Sequence, residues 1–312
     1  MAVSRCLVQS KKHIITDAPQ NVDYSLKESV FHGTAAFPVA IYHDDIQAEE
    51  VMWHWHEEFE IGFITNGEVL LEAGTRKYVL HPGDGFFINS GVIHAAKNAS
   101  PGSPSALKSI VFHSSVISGM RGSLYDQKYV LPIIQNRNMR DYILYTGEQS
   151  DSKMLFLMKE IWAAMFSEEE DYTLCVRYNL SRLFSMLINR HEESFVSDHS
   201  YDLVRENRAQ TMLEFIHRKY TESITLTDIA AEASVSVSEA LRCFNQIIGL
   251  SPIQYLKKYR LSRAAQLLKE TDYSISKICE LCGFQDNSYF AKSFREVYHS
   301  SPHSYRCSAN KE

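Results

Sequence analysis

Residues 244–255 read FNQIIGLSPIQY, and residues 294–305 read FREVYHSSPHSY. Phe244, Ser251, Pro252 and Tyr255 recur in the same order as Phe294, Ser301, Pro302 and Tyr305, while the Gly249 position is taken by His299. Upstream of each run lies a short apolar helical pattern, Thr227-Asp228-Ile229-Ala230 in one copy and Ser276-Lys277-Ile278-Cys279 in the other. A turn and a second short helix follow each time. The Ser-Pro pair predicts a helix start, with serine as N-cap and proline at the first helical position, where its missing N–H costs nothing. Two helix-turn-helix units in tandem are therefore expected, joined by a helix over Pro252–Lys269. In such a unit the second helix points its N-terminal residues at base edges in the major groove. A duplicated unit predicts two contacts on one face of double-stranded DNA, about one helical turn apart.

Burial of Ile229, Ala230, Ala233, Ala240 and Phe244 in the first unit turns Ser238, Leu241, Arg242 and Gln246 outward. Burial of Ile278, Cys279, Cys282, Phe290, Phe294 and Val297 in the second presents Asn287, Ser288, Ala291 and Lys292. Arg242 suits guanine or a phosphate, Gln246 and Asn287 suit adenine, and Lys292 suits a phosphate. Ser236-x-x-Glu239 and Ser251-x-x-Gln254 have the form of capping boxes. Cys279 and Cys282 form a C-x-x-C with the look of a redox or metal pair, but they align with Ala230 and Ala233, which favours close helix packing. A lone exposed arginine is only a solvated charge; duplication of the whole unit is what points to nucleic acid. Charge agrees, since residues 201–312 hold 15 Lys+Arg against 13 Asp+Glu while residues 1–200 hold 17 against 25.

With these residues in place, 205–312 resemble the DNA-binding domain of the AraC/XylS family of bacterial transcription regulators. The pattern is carried by Ile229-Ala230, Ser236 through Phe244, Gly249-x-Ser251-Pro252-x-x-Tyr255 and Arg260-Leu261-x-x-Ala264-x-x-Leu267-Leu268. It continues through Ile278 to Gly283-Phe284, Ser288-Tyr289-Phe290, Phe294, Ser301-Pro302 and Tyr305-Arg306. Glu239, Ala240 and His299 depart from it. The resemblance implies a one-component regulator with an operator, a small-molecule effector, a homodimer and RNA polymerase among its partners.

Residues from about 30 to 115 read as short strands punctuated at Asn66-Gly67, Ala73-Gly74, His81-Pro82-Gly83 and Ser90-Gly91, with apolar runs at Glu60–Thr65, Glu68–Glu72 and Gly85–Asn89. Such spacing predicts a small β-barrel or sandwich. Within it, His54-x-His56-x3-Glu60-x6-Gly67 and Gly83-x5-Asn89-x-Gly91-x2-His94-x3-Asn98 resemble the two cupin motifs. That resemblance implies convergence of His54, His56, Glu60 and His94, and shared strand parity supports a common inward direction for the first three. The four can line an effector site, hold a divalent cation such as zinc, iron, manganese or nickel, or simply hydrogen-bond one another. DNA binding itself requires no cofactor. Trp53, Trp55, Phe59 and Phe63, of opposite parity, are expected as core between sheet and helices. Phe31, Phe37, Tyr42 and Tyr78 are candidates for stacking on a sugar, the effector class that the family resemblance favours.

Beyond Ser115 the pattern turns helical, clearest at Leu155, Met158, Ile161, Trp162, Met165 and at Leu180, Leu183, Phe184, Leu187, Ile188. The expected organisation is a cupin-like sensing barrel with an N-terminal arm at 1–115, a helical dimerisation segment at 116–192, a linker at 193–204 and the DNA-binding domain at 205–312. The fold class is α+β multidomain: a cupin-like β-barrel plus helices, then an all-α tandem helix-turn-helix domain. No apolar run suits a bilayer, no signal peptide opens the chain, and six scattered cysteines suit a reducing cytoplasm. A regulator, not an enzyme, is the expectation; the rival is a metal-dependent cupin dioxygenase or isomerase fused to a DNA-binding domain.

Overall fold

The computed structural model describes residues 32–46, 50–136, 138–191 and 200–309. The chain divides into two units with the boundary between Asp202 and Leu203. The expected N-terminal arm lies outside the described residues, as do Phe31 and positions 192–199 of the expected linker.

The first unit runs β1 (Val39–Asp45), β2 (Val51–His54), β3 (Phe59–Asn66), β4 (Val69–Ala73), β5 (Arg76–Leu80), β6 (Gly85–Ile88), β7 (His94–Asn98) and β8 (Ala106–Phe112). Then come α1 (Ser115–Ser118), a π-helical turn at Asp126–Val130, α2 (Leu131–Ile134), β9 (Asp141–Leu144), α3 (Ser152–Ser167) and α4 (Tyr172–His191). The strands form two antiparallel sheets, ordered β1-β8-β3-β6-β9 and β2-β7-β4-β5. Strand β3 shows how period-two alternation sorts the side chains. Phe59, Ile61 and Phe63 join one core with the helices, whereas Ile64 joins a second core inside the barrel. There Ile64, Phe86, Ile88 and Leu107 of one sheet meet Val69, Leu71, Leu80 and Ala96 of the other, so the sheets pack face to face. A Cβ on Gly62 would lie 2.4 Å from the Phe86 ring, which is why that strand position is glycine.

The apolar stripes of α3 and α4 cover the outer face of the five-stranded sheet. Phe184 of α4 sits at the centre, its ring 4.9 Å from Phe59, 6.0 Å from Phe87 and 5.8 Å from Phe112. Two expectations need correction. Trp55 is only half-buried and, like Trp53, stands outside the sheet-to-helix core that takes Phe59 and Phe63, because β2 belongs to the other sheet. The segment 116–192 is not purely helical either, since β9 pairs with β6 and extends the sheet.

The second unit is all helix: α5 (Ser200–Lys219), α6 (Leu226–Glu232), α7 (Val237–Ile248), α8 (Pro252–Glu270), α9 (Ile275–Leu281), α10 (Asn287–Tyr298) and α11 (Pro302–Ala309). Helix α5 thus begins inside the stretch expected as linker. Ser251 Oγ accepts from the Gln254 amide and Gln254 returns a bond to the Ser251 amide, completing the capping box at α8. The 19 residues of α8 span about 28 Å between the two helix-turn-helix pairs, α6–α7 and α9–α10. Each lead-in loop is held by a guanidinium: Arg260 donates to the carbonyls of Tyr220 and Glu222, and Arg306 to that of Tyr273. His299 adopts the left-handed conformation at the end of α10 that Gly249 adopts at the end of α7.

Ile229, Ala230, Ala240, Phe244, Ile278, Cys279, Cys282, Phe290 and Phe294 are buried as expected. Ala233 is half-buried, and Val297 is 44% exposed although it shares a face with Phe290 and Phe294: in this last turn of α10 it is Tyr298 that packs against the core. The cysteine pair belongs to the core around Leu261, Ile278 and Phe290, and burial pushes the Cys282 thiol up to about 12. That is the packing role, and a thiol so buried is a poor nucleophile.

Candidate functional site

In the first unit, β2, the turn after it, β3 and β7 bring His54, His56, Glu60 and His94 together. Their ligand atoms all lie within 4.8 Å of one another, and this is the one such group found among the described residues. Glu60 Oε2 is 3.2 Å from His56 Nε2 and 3.1 Å from His94 Nε2. The other nitrogen of each ring is tied to the backbone: His54 Nδ1 lies 2.8 Å from the Met52 carbonyl, His56 Nδ1 3.0 Å from that of Glu58, and His94 Nδ1 2.8 Å from that of Val92. A carbonyl accepts only, so each Nδ1 carries a proton and each Nε2 is left directed at the cluster. Ring centroids confirm the convergence, at 4.1 Å for His54–His94 and 5.2 Å for His56–His94.

Asn89, in the position where the cupin pattern has proline, works as a bracket: its amide donates to the carbonyls of Ile133 and Met139, both at 2.7 Å. Buried His32 was not singled out in the sequence. Its ring lies 5.5 Å from that of His56, and its Nδ1 is 2.6 Å from the Tyr42 hydroxyl. No motif spacing connects it to the others, since it precedes β1. Of the aromatic candidates among the described residues, Tyr42 comes near the cluster, through His32. Phe37 packs toward the helices against Tyr172, and the Tyr78 hydroxyl is spent on Asp141 at 2.6 Å.

In the second unit, α7 and α10 carry the predicted reading faces. Ser238, Leu241, Arg242 and Gln246 are all exposed on α7; Asn287, Ser288 and Lys292 are exposed on α10. Asn245 on the first helix, and Tyr289 and Arg295 on the second, are exposed as well. Arg295 follows Ser288 and Lys292 at helical spacing and adds a cation to that face; its signal was the i, i+4, i+7 series itself. Helix α7 is capped by Ser236, whose Oγ accepts from the Glu239 amide at 3.2 Å. The reciprocal half of the expected capping box is absent. The Glu239 carboxylate instead accepts from Arg242 Nε and Nη2 through Oε2, at 3.0 and 2.6 Å, and from Arg208 Nη1 through Oε1 at 2.8 Å. Hydrogen bonding from the Cys243 thiol and from Arg242 holds this carboxyl below the usual range.

Comparison with known proteins matches both halves. The family model for the AraC-like ligand binding domain matches residues 37–174, and that for a helix-turn-helix domain matches residues 229–308. The chain belongs to the AraC/XylS family. It is 29% identical over 290 residues to the HTH-type transcriptional regulator YdeC of Bacillus subtilis (strain 168), covering 91% of this chain and 97% of that one. It is 23% identical over 257 residues to the HTH-type transcriptional activator RhaS of Pectobacterium carotovorum, covering 81% and 86%. The melibiose operon regulatory protein of Escherichia coli (strain K12) is 30% identical over 133 residues, 42% of each chain.

This AraC/XylS regulator is a transcription regulator that binds DNA through its helix-turn-helix unit and a small-molecule effector through its N-terminal unit. Relatives matched over most of their length are named as regulators, and nothing in the comparisons favours the enzyme alternative. Among the described residues no helix is long and apolar enough to cross a membrane.

Proposed function

We propose that the N-terminal unit of this AraC/XylS regulator senses a small polar metabolite, most simply a carbohydrate, at a divalent cation held by His54, His56, Glu60 and His94. One observation carries the reading: all three imidazoles are fixed through Nδ1 so that three Nε2 atoms and a carboxylate converge in one small space. Orientation of the second ring nitrogen by a carbonyl is the usual support of a metal-ligating histidine. Imidazole with carboxylate suits zinc, iron, manganese or nickel. A bound cation would supply a Lewis-acid centre for hydroxyl or carboxylate oxygens of the effector. The carbohydrate assignment draws on the relative named for a melibiose operon.

The working form is a cytoplasmic homodimer. Phe156 and Phe166 on α3, with Leu174 and Tyr178 on α4, are 59–71% exposed, which is the kind of apolar surface that a second subunit covers. Effector binding would shift the orientation of the two DNA-binding units and so the recruitment of RNA polymerase. For that, the effector needs different affinities for the two states.

The test is to load the purified protein with zinc or manganese, remove free ion and measure what is retained, then titrate operator DNA with a panel of sugars. About one ion per chain is expected, lost in the His56→Ala/His94→Ala double variant, with sugar-dependent operator binding only in the loaded protein. Retention of no ion, together with operator binding indifferent to metal and sugar alike, would overturn the proposal.

A further inference from the structure

The first turn of α7 contains an acid where a DNA-reading helix gains nothing from bare negative charge, because phosphates repel it. The geometry gives Glu239 a different task. Its backbone amide is satisfied by Ser236, yet its carboxylate does not return to cap the helix. Both of its oxygens go to guanidinium groups, Oε2 to Nε and Nη2 of Arg242 and Oε1 to Nη1 of Arg208 on α5. The Cys243 thiol, also on Oε1 at 3.1 Å, completes the set. Glu239 is 23% exposed and Arg242 48%, so the acid lies deeper than the arginine it holds.

A guanidinium has two hydrogen-bonding edges. A carboxylate on the Nε–Nη2 edge fixes the plane of the group and removes rotamers that would otherwise let it wander between a base and neighbouring phosphates. The second edge, Nη1 with Nη2, is the one that pairs bidentately with O6 and N7 of guanine. Through Arg208, this clamp is anchored to a helix outside the reading helix, so the orientation does not depend on α7 alone.

We propose that Glu239 is a specificity-determining positioning residue: held between Arg208 and Arg242, it aims Arg242 so that the first helix-turn-helix reads a guanine and does not merely grip phosphate. This rests on the reading that Arg242 faces the major groove, and the experiment separates the two. A high-affinity duplex is selected from random sequence with the full-length protein, and each base pair of the site is then exchanged in turn. Arg242→Ala identifies the pair at which discrimination depends on Arg242. Glu239→Ala is expected to lower discrimination at that same pair about tenfold, with Glu239→Gln intermediate because one acceptor oxygen remains. Discrimination at the pairs read by α10 stays unchanged, and binding to random DNA is equal or tighter because an anion has gone. Retention of wild-type discrimination by Glu239→Ala at the Arg242 pair overturns the proposal while leaving Arg242 as a reader. Uniform loss at every pair with a lowered melting temperature also overturns it, showing a purely structural role. If Arg242→Ala changes no base preference, the reading beneath it fails and the proposal falls too.

Discussion

The single break in the duplicated motif makes a sharp test of how each unit is held. Gly249 ends α7 with φ 77° and ψ 5°, and His299 ends α10 with φ 54° and ψ 15°; each amide donates to the carbonyl four residues back, at 2.9 and 3.0 Å. The caps are therefore the same, but a side chain with a Cβ pays about 1–2 kcal/mol in the left-handed region. Replacing histidine by glycine removes that strain, while the greater freedom of glycine in the unfolded chain returns about 0.4–1 kcal/mol. His299→Gly should thus stabilise the second unit by about 1 kcal/mol. For a domain of this size that raises the melting temperature by about 4 °C or more. Gly249→Ala is the mirror experiment. Nothing lies within 4 Å of the added Cβ, so its cost is backbone strain alone, about 1 kcal/mol. Calorimetry of the full-length chain, following the transition of the helical unit, reads both. Destabilisation or no change in His299→Gly alongside the expected loss in Gly249→Ala would refute the reasoning, because the histidine ring would then be contributing as much as the strain costs.

Two further outcomes follow from the first unit. Phe184→Ala removes the ring on which Phe59, Phe87 and Phe112 converge, and should cost about 3–5 kcal/mol in urea unfolding of the barrel; a loss below about 1 kcal/mol would mean that α4 is not what closes this face. Burial alone would raise the Glu72 carboxyl, but hydrogen bonds from Lys77 and Lys97, at 2.7 and 2.9 Å, outweigh it and hold the group below its ordinary value. Because the unfolded chain binds that proton at higher pH, the contribution of Glu72 is complete above the ordinary carboxylate range and is lost as pH falls through it. Lys77→Ala/Lys97→Ala should then shift acid unfolding to higher pH, and an unmoved midpoint would contradict the assignment.

The repeat, the Ser-Pro caps and the outward positions of α7 and α10 were legible because helix geometry is local: period and capping residue decide which side chain faces out. The barrel strands were legible from turn residues for the same reason. Strand β9 was not, since four residues in a helical neighbourhood carry no period, and only the free edge of β6 makes them a strand. Val297 was misplaced because the repeat was followed by analogy, while the buried core reaches only as far along α10 as Phe294, with Tyr298 packed against it in the last turn.

The sequence by itself determined that two helix-turn-helix units follow a small barrel, and its resemblance to the cupin motifs singled out the four residues that carry imidazole and carboxylate. The repeat is a matter of spacing along one chain. Only the tertiary structure decided that each imidazole is fixed by a carbonyl two residues away, that His32 approaches the cluster from before β1, and that Glu239 turns from its own helix cap to Arg242 and Arg208. A side chain takes the partner within reach that best offsets its desolvation, and reach across elements is set by packing, which no local pattern encodes.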